Sequence, residues 1–281
     1  MKIESIILEL KNLKIIQDGW DYKKLSGGTT SELYLIQSRY VIKKNEPQVL
    51  KAEAVFLKEY SEIQLLPTLI YDEPQNNYIV YSYIKGESIY KRKYKRELLI
   101  ELVQNIFNHY TIVETEGDWG WADEPSSSWK HFLLQRARGA TTILKDFLSE
   151  EDHELIYTLI NKKESDTINQ PYLLHGDCGV HNLLFEESKL TGVIDPTPVI
   201  GPRLYDLIYA FCSSPDDLNI ETIEAAANTL LEDTKNLYED VVIGLYLRIA
   251  TCIKHHPEDF DDYLNAWVFW KRQIKQEKGT L

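Results

Sequence analysis

Two hydrophobic rhythms meet in this sequence near Gly86, and that change restricts the folds open to it more than any other feature. Ahead of it, "LYLIQ" (33–37), "RYVIKK" (39–44) and "NYIVYSYI" (77–84) are short β-type runs bounded by turn residues, with "LSGGTTS" before the first. One helical pattern interrupts them over about Gln48 to Tyr60, where Leu50, Ala54 and Leu57 share a face. Beyond Gly86, "RELLIELVQNIFNHY", "SWKHFLLQRARGATTILKDFL", "ETIEAAANTLLED", "EDVVIGLYLRIATCI" and "DFDDYLNAWVFWKRQI" read as amphipathic or buried helices. Short strands are expected there only at the two ends of "LLHGDCGVHNLLF" and at "LTGVID". The economical architecture is α+β: a small β-rich N-terminal lobe, residues 1–84, and a larger, mainly helical C-terminal lobe, residues 85–281.

The charge and the cysteines exclude whole classes of partner. Forty-four acidic against 31 basic residues leave a net charge of -13, which argues against nucleic acid, whose binding relies on lysine and arginine neutralising phosphates. No window approaches the roughly 20 apolar residues of a membrane span; even "VVIGLYLRIATCI" is interrupted by Arg248. The N-terminus mixes Lys2 with Glu4 and Glu9 and lacks a leader-like apolar run, so no membrane partner is expected. Cys178, Cys212 and Cys252 are odd in number and far apart, which predicts free thiols in a reducing, cytoplasmic setting. Either a monomer or a homodimer is compatible with this composition.

The densest chemistry lies in "LLHGDCGVHNLLF", Leu173 to Phe185, which packs His175, Asp177, Cys178, His181 and Asn182 between two apolar runs. Three accounts compete: catalysis on a rigid loop, a metal site, or an ordinary hydrogen-bonded turn. Phosphoryl transfer from a nucleotide wants these residue types, namely a carboxylate to take the acceptor hydroxyl's proton and hard oxygen ligands to hold Mg²⁺ against the phosphates. Asp177 fits the base, and Asn182, with Asp195 in "GVIDPTP", the metal ligands. His175 would brace the loop. The competing metal reading is zinc held by His175, Cys178 and His181, three residues apart in each step.

"HGDCGVHN" followed by "IDP" resembles the catalytic and metal-binding motifs of the aminoglycoside phosphotransferase and choline kinase family, relatives of the protein kinases. The resemblance implies a two-lobed protein-kinase-like fold, ATP or GTP as phosphate donor, Mg²⁺, and a hydroxyl on a small molecule as acceptor. It further implies that Gly27 and Gly28 lie in a nucleotide-covering hairpin, that Lys43 of "YVIKK" positions phosphates, and that Glu53 pairs with it. "NYIVYSYIKGES" is similar to the strand and hinge joining the lobes, so Ser82 and Ile84 are the expected main-chain contacts to the base. Asp206 in "GPRLYDLIYAF" is a candidate to hold the catalytic loop by hydrogen bonds; complementing a helix N-terminus is an equal account.

The acceptor is less legible. An acidic surplus between Asp216 and Asp262 suits an aminoglycoside or another amino-bearing metabolite, and "DWGWADEPSSSW" offers Trp119, Trp121 and Trp129 as a platform for a cation. Against this stands the basic run "KGESIYKRKYKRE". The alternative to catalysis is a nucleotide-binding regulatory module without turnover.

Overall fold

The computed structural model describes residues 2–17, 21–25, 31–114, 117–163 and 170–279. In chain order its elements are α1 (Ile3–Asn12), β1 (Tyr22–Lys24), β2 (Glu32–Ile36), β3 (Tyr40–Lys44), α2 (Pro47–Glu59), β4 (Leu69–Asp72), β5 (Ile79–Ser82) and α3 (Lys95–Asn105). They continue with β6 (Gly120–Trp121), α4 (Trp129–Leu144), α5 (Glu150–Lys162), β7 (Tyr172–Leu174), β8 (Leu183–Glu186), β9 (Lys189–Val193) and β10 (Val199–Gly201). Four helices end the chain: α6 (Leu204–Cys212), α7 (Ile220–Ala227), α8 (Leu237–His255) and α9 (Phe260–Gly279). No helix among the described residues is long and apolar enough to cross a membrane.

These elements form two compact units. The first comprises residues Met1–Ile89 and Leu183–Thr197, the second Tyr90–Asn182 and Pro198–Leu281. The division therefore falls at Ile89 rather than after Ile84, and the segment carrying β8, β9 and Asp195 returns to the first unit instead of staying with the helices around it in sequence.

The first unit is built on an antiparallel sheet in the order β1-β2-β3-β5-β4. Strand alternation sends Ile42 of β3 to one face, where it packs with Ile36, Tyr78 and Val80 under α1. α1 buries Ile3, Ile6, Ile7 and Leu10, a run at helical spacing that makes one apolar stripe. Lys43, the next residue in β3, must therefore point to the opposite face. The β8-β9 hairpin is anchored to this unit by paired hydrogen bonds between Glu87 and Phe185 and by Val193 N–H donating to Leu65 O.

The second unit is mainly helical, with a small sheet ordered β6-β10-β7. Its core includes Trp267 and Trp270 of α9, both essentially inaccessible, packed against Tyr246 of α8 and Phe211 of α6 respectively. The three cysteines are buried free thiols.

Several elements depart from expectation. Neither α1 nor α5 is expected from the sequence; α1 spans only ten residues, too few to be stable without a sheet to cover. β10 sits among prolines in "PTPVIGP" and becomes a strand only by pairing with β7 and β6. The expected helix over 221–233 stops at Ala227, where turns through Thr229 and Leu230 take over.

Candidate active site

In the first unit a buried ammonium is held between two carboxylates. Lys43 is 2% exposed and Glu53 1%. Glu53 lies on the apolar face of α2, one turn after Leu50 and beside Ala54 and Leu57, which is why a glutamate ends up inaccessible. Its Oε2 approaches the Lys43 Nζ at 2.5 Å, and the same Nζ donates to Asp195 Oδ1 at 2.5 Å. Asp195 follows β9 with φ of 60°, a left-handed conformation that aspartate tolerates better than most residues, and its side chain is 44% exposed. Burial pulls the Lys43 amine down, but the attraction of Glu53 and Asp195 outweighs it and holds the ammonium charged. Burial pushes the Glu53 carboxyl up, to about 7, against the pull of Lys43. Lys44 turns the other way and pairs with Glu32 at 2.7 Å, as strand alternation demands.

The other nucleotide-side candidates fall as follows. Ser82 ends β5, with its N–H donating to Thr68 O at 2.9 Å and its Oγ accepting from Thr68 N–H. Ile84 lies two residues on, its side chain over Gly192. Gly27 and Gly28 lie outside the described residues.

In the second unit the loop after β7 wraps around Asp177. Gly176, at φ of 79°, makes the turn that a side chain would strain. His175 is fully buried and accepts the Asp177 N–H through Nδ1 at 3.3 Å, so it does brace the loop. Asn182 donates through Nδ2 to both Asp177 O (3.0 Å) and Oδ2 (2.9 Å). Tyr209 OH donates to Asp177 Oδ1 at 2.5 Å, and His181 Nε2 lies 3.3 Å from the carboxylate. Burial raises the Asp177 pKa, but the bonds from His181 and Tyr209 and nearby positive charge outweigh it, leaving the carboxyl below the usual aspartate value. A carboxylate held ionised at neutral pH is competent to receive a proton.

Much of this loop is fastened by one face of α6. Asp206, inaccessible to solvent, accepts from Tyr110 OH (2.6 Å), His175 N–H (2.9 Å) and Gly176 N–H (3.0 Å). Ser213, just past the end of the helix, accepts the Val180 N–H at 3.2 Å. Positions 206, 209 and 213 recur at helical spacing, so one face presents all three to the loop. Both accounts of Asp206 hold: it fastens the loop, and it lies in the first turn of α6. Tyr209, Ser213 and Tyr110 are hydrogen-bonding neighbours of the loop that its motif does not announce; the clue available in "LYDLIYAFCSS" is the polar series at i, i+3 and i+7 in an apolar helix.

The zinc reading fails. Among the described residues no three His, Cys, Asp or Glu side chains are grouped to hold a metal. The Cys178 thiol is fully buried, and burial drives its pKa up. The magnesium candidates have the appropriate chemistry: with Nδ2 committed to Asp177, the Asn182 oxygen remains for a hard cation, and Lys43 engages only Oδ1 of Asp195. Asn182 closes one unit and Asp195 belongs to the other.

Solved structures share this fold. The streptomycin–ATP ternary complex of APH(2")-IIa matches with a TM-score of 0.61 and 20% identity over 92% of each chain. The GDP and kanamycin complex of APH(2")-IIIa matches with a TM-score of 0.58 and 16% identity, over 97% of this chain and 99% of that one. Choline kinase from Cryptosporidium parvum Iowa II gives a TM-score of 0.62 and 16% identity, over 100% and 98%. Comparison with curated proteins gives no match. The architecture is thus α+β and protein-kinase-like, the fold of these neighbours. The chain belongs to the phosphotransferase enzyme family, whose profile matches residues 21–239. It is a small-molecule phosphotransferase.

Proposed function

We propose that this enzyme moves the γ-phosphate of ATP or GTP to a hydroxyl of a small molecule, with Asp177 as general base. The observation that carries the reading is the hold on Asp177: Tyr209, Asn182 and His181 converge on its carboxylate and favour the ionised form. Asp177 takes the proton of the acceptor hydroxyl as that oxygen forms its bond to the γ-phosphorus, and the nucleoside diphosphate leaves with the electrons of the broken P–O bond. Lys43, kept charged and in place by Glu53, binds phosphate oxygens. Asn182 and Asp195 are the residues that would hold Mg²⁺, which when bound neutralises charge on the phosphates. Gly27 and Gly28, outside the described residues, are the candidates to approach the phosphates, and the main chain at Ser82 and Ile84 is the candidate to meet the base.

Aminoglycosides or other amino-bearing metabolites are one acceptor class to test, supported by streptomycin and kanamycin in the neighbours and by the acidic surplus of residues 216–262, and acidic sugars are the opposing class, supported by the basic run of residues 85–96. The experiment is a coupled ADP- and GDP-release screen over aminoglycosides, choline-like amines, sugars and sugar acids, repeated with Asp177→Asn. That variant is expected to lower kcat by roughly 10²- to 10⁴-fold on the true acceptor. Full activity in it refutes the assigned role, and nucleotide binding without turnover of any acceptor favours a regulatory module instead.

A further inference from the structure

The second unit contains a cavity of about 680 Å³, and one of its walls touches the catalytic loop, because Tyr209 both lines it and bonds Asp177. Next to Tyr209 on that wall are Tyr205, whose ring centroid lies 6.2 Å from that of Tyr209, and Arg136 of α4. Arg136 is half-buried. Its guanidinium lies over the rings of Trp121 (5.3 Å), Phe132 (5.7 Å) and Tyr205 (5.7 Å) and donates through Nη1 to the Tyr205 hydroxyl. The tryptophan platform expected to receive a ligand cation is therefore occupied in part by the protein's own cation: Trp121 faces Arg136, while Trp119 and Trp129 are buried against each other.

The balance of charge around the cavity points the same way. Its carboxylates are engaged: Asp240 with Lys163 at 2.5 Å, Asp233 with Lys235 at 2.9 Å, Glu232 as acceptor of the Leu204 N–H, and Glu239 with a partner of its own. Arg136 has no carboxylate partner among the described residues. A guanidinium carries five N–H donors in a rigid fork, and one bond to a tyrosine hydroxyl leaves most of them unused. A fixed cation with spare donors, in a cavity whose acids are already engaged elsewhere, selects for negative charge.

We propose that Arg136 is a specificity-determining residue that binds a carboxylate or phosphate group of the acceptor, so that the enzyme prefers anion-bearing hydroxyl compounds to polycationic ones. The proposal rests on the phosphotransferase reading for its meaning, but the anion site can be tested without turnover. Gluconate, glucose and glucosamine carry similar hydroxyls with negative, neutral and positive groups. Calorimetry on the full chain is expected to give gluconate binding about tenfold or more tighter than either of the others, the scale of one charge-assisted pair. Arg136→Gln abolishes the difference, and Arg136→Lys, which keeps the charge without the fork, retains part of it. Equal binding of the three, preference for glucosamine, or gluconate binding unchanged in Arg136→Gln overturns the proposal. ADP release with the same compounds separates the two readings. Arg136-dependent gluconate binding with no release from any acceptor sinks the phosphotransferase role and leaves the anion site standing. In turnover, the loss in Arg136→Gln falls on KM for the anionic acceptor, whereas a merely structural role for Arg136 would depress kcat on all acceptors alike.

Discussion

Replacing Asp206 by alanine is the sharpest test of how the loop after β7 is held. The carboxylate is the shared acceptor for the Tyr110 hydroxyl and for the His175 and Gly176 amides, and no part of it reaches solvent. A buried donor deprived of its acceptor costs about 1–3 kcal/mol. His175 N–H keeps a contact with Tyr110 OH at 3.2 Å, so the loss falls mainly on two donors, with a partial third. The expected destabilisation is about 3–5 kcal/mol, a large fraction of a typical domain's stability. Urea unfolding followed by tryptophan fluorescence is a suitable assay, because Trp119, Trp121, Trp129, Trp267 and Trp270 all lie in the second unit. Asp206→Asn keeps one acceptor oxygen but turns an NH₂ toward a donor, and should fall between the parent and the alanine variant. Burial pushes the Asp206 carboxyl up to about 7 against the three donors, so measurements at pH 6 and pH 8 bracket its titration. If Asp206→Ala unfolds within 1 kcal/mol of the parent at both pH values, the loop is not held in this way, whatever the distances suggest.

Three further outcomes follow from the same coordinates. Lys43→Ala removes the cation that opposes the effect of burial on Glu53, leaving that carboxyl buried as the neutral acid without its partner, and should cost about 1–3 kcal/mol in the first unit, whereas Lys43→Met combined with Glu53→Leu recovers most of that stability without activity; equal stability of the alanine variant and the parent in urea contradicts the buried pair. Burial pushes Glu232 up to about 7 from its ordinary 4.5, so its contribution is fully present below pH 4.5 and is lost as pH rises through 7; Glu232→Gln should flatten the fall in stability across that window, and an unchanged slope argues against the shift. Gly120→Ala puts a methyl 2.3 Å from Phe132 Cδ2 at a φ of 81°, which should cost about 2–4 kcal/mol by combined overpacking and backbone strain, read as a drop in Tm.

The loop after β7 was legible because its chemistry is local. Asp177 and Asn182 are five residues apart in one short loop, so the motif predicts their neighbourhood and the coordinates bear it out. The Lys43–Glu53 pair depends on the resemblance, since two charged residues in a strand and a helix are ordinarily surface groups; burial on the apolar face of α2 makes them a pair. Arg136 was invisible for a different reason. In "FLLQRARGA" it reads as one more solvated charge on a helix, and nothing nearby in sequence links it to Trp121 or Tyr205.

The amino-acid order alone thus determined which segments become strands or helices in most of the chain, through periods of two and 3.6, and which loop brings Asp177 and Asn182 together, through residue type and spacing. Tertiary structure decided that α6 fastens that loop, that residues 183–197 return to the first unit, and that Trp121 covers an arginine rather than an open platform. The physical reason is range. Periodicity and turn chemistry act over a few residues, whereas burial, shared hydrogen bonds and charge pairing join groups tens of residues apart, and those pairings exist only once the chain has closed upon itself.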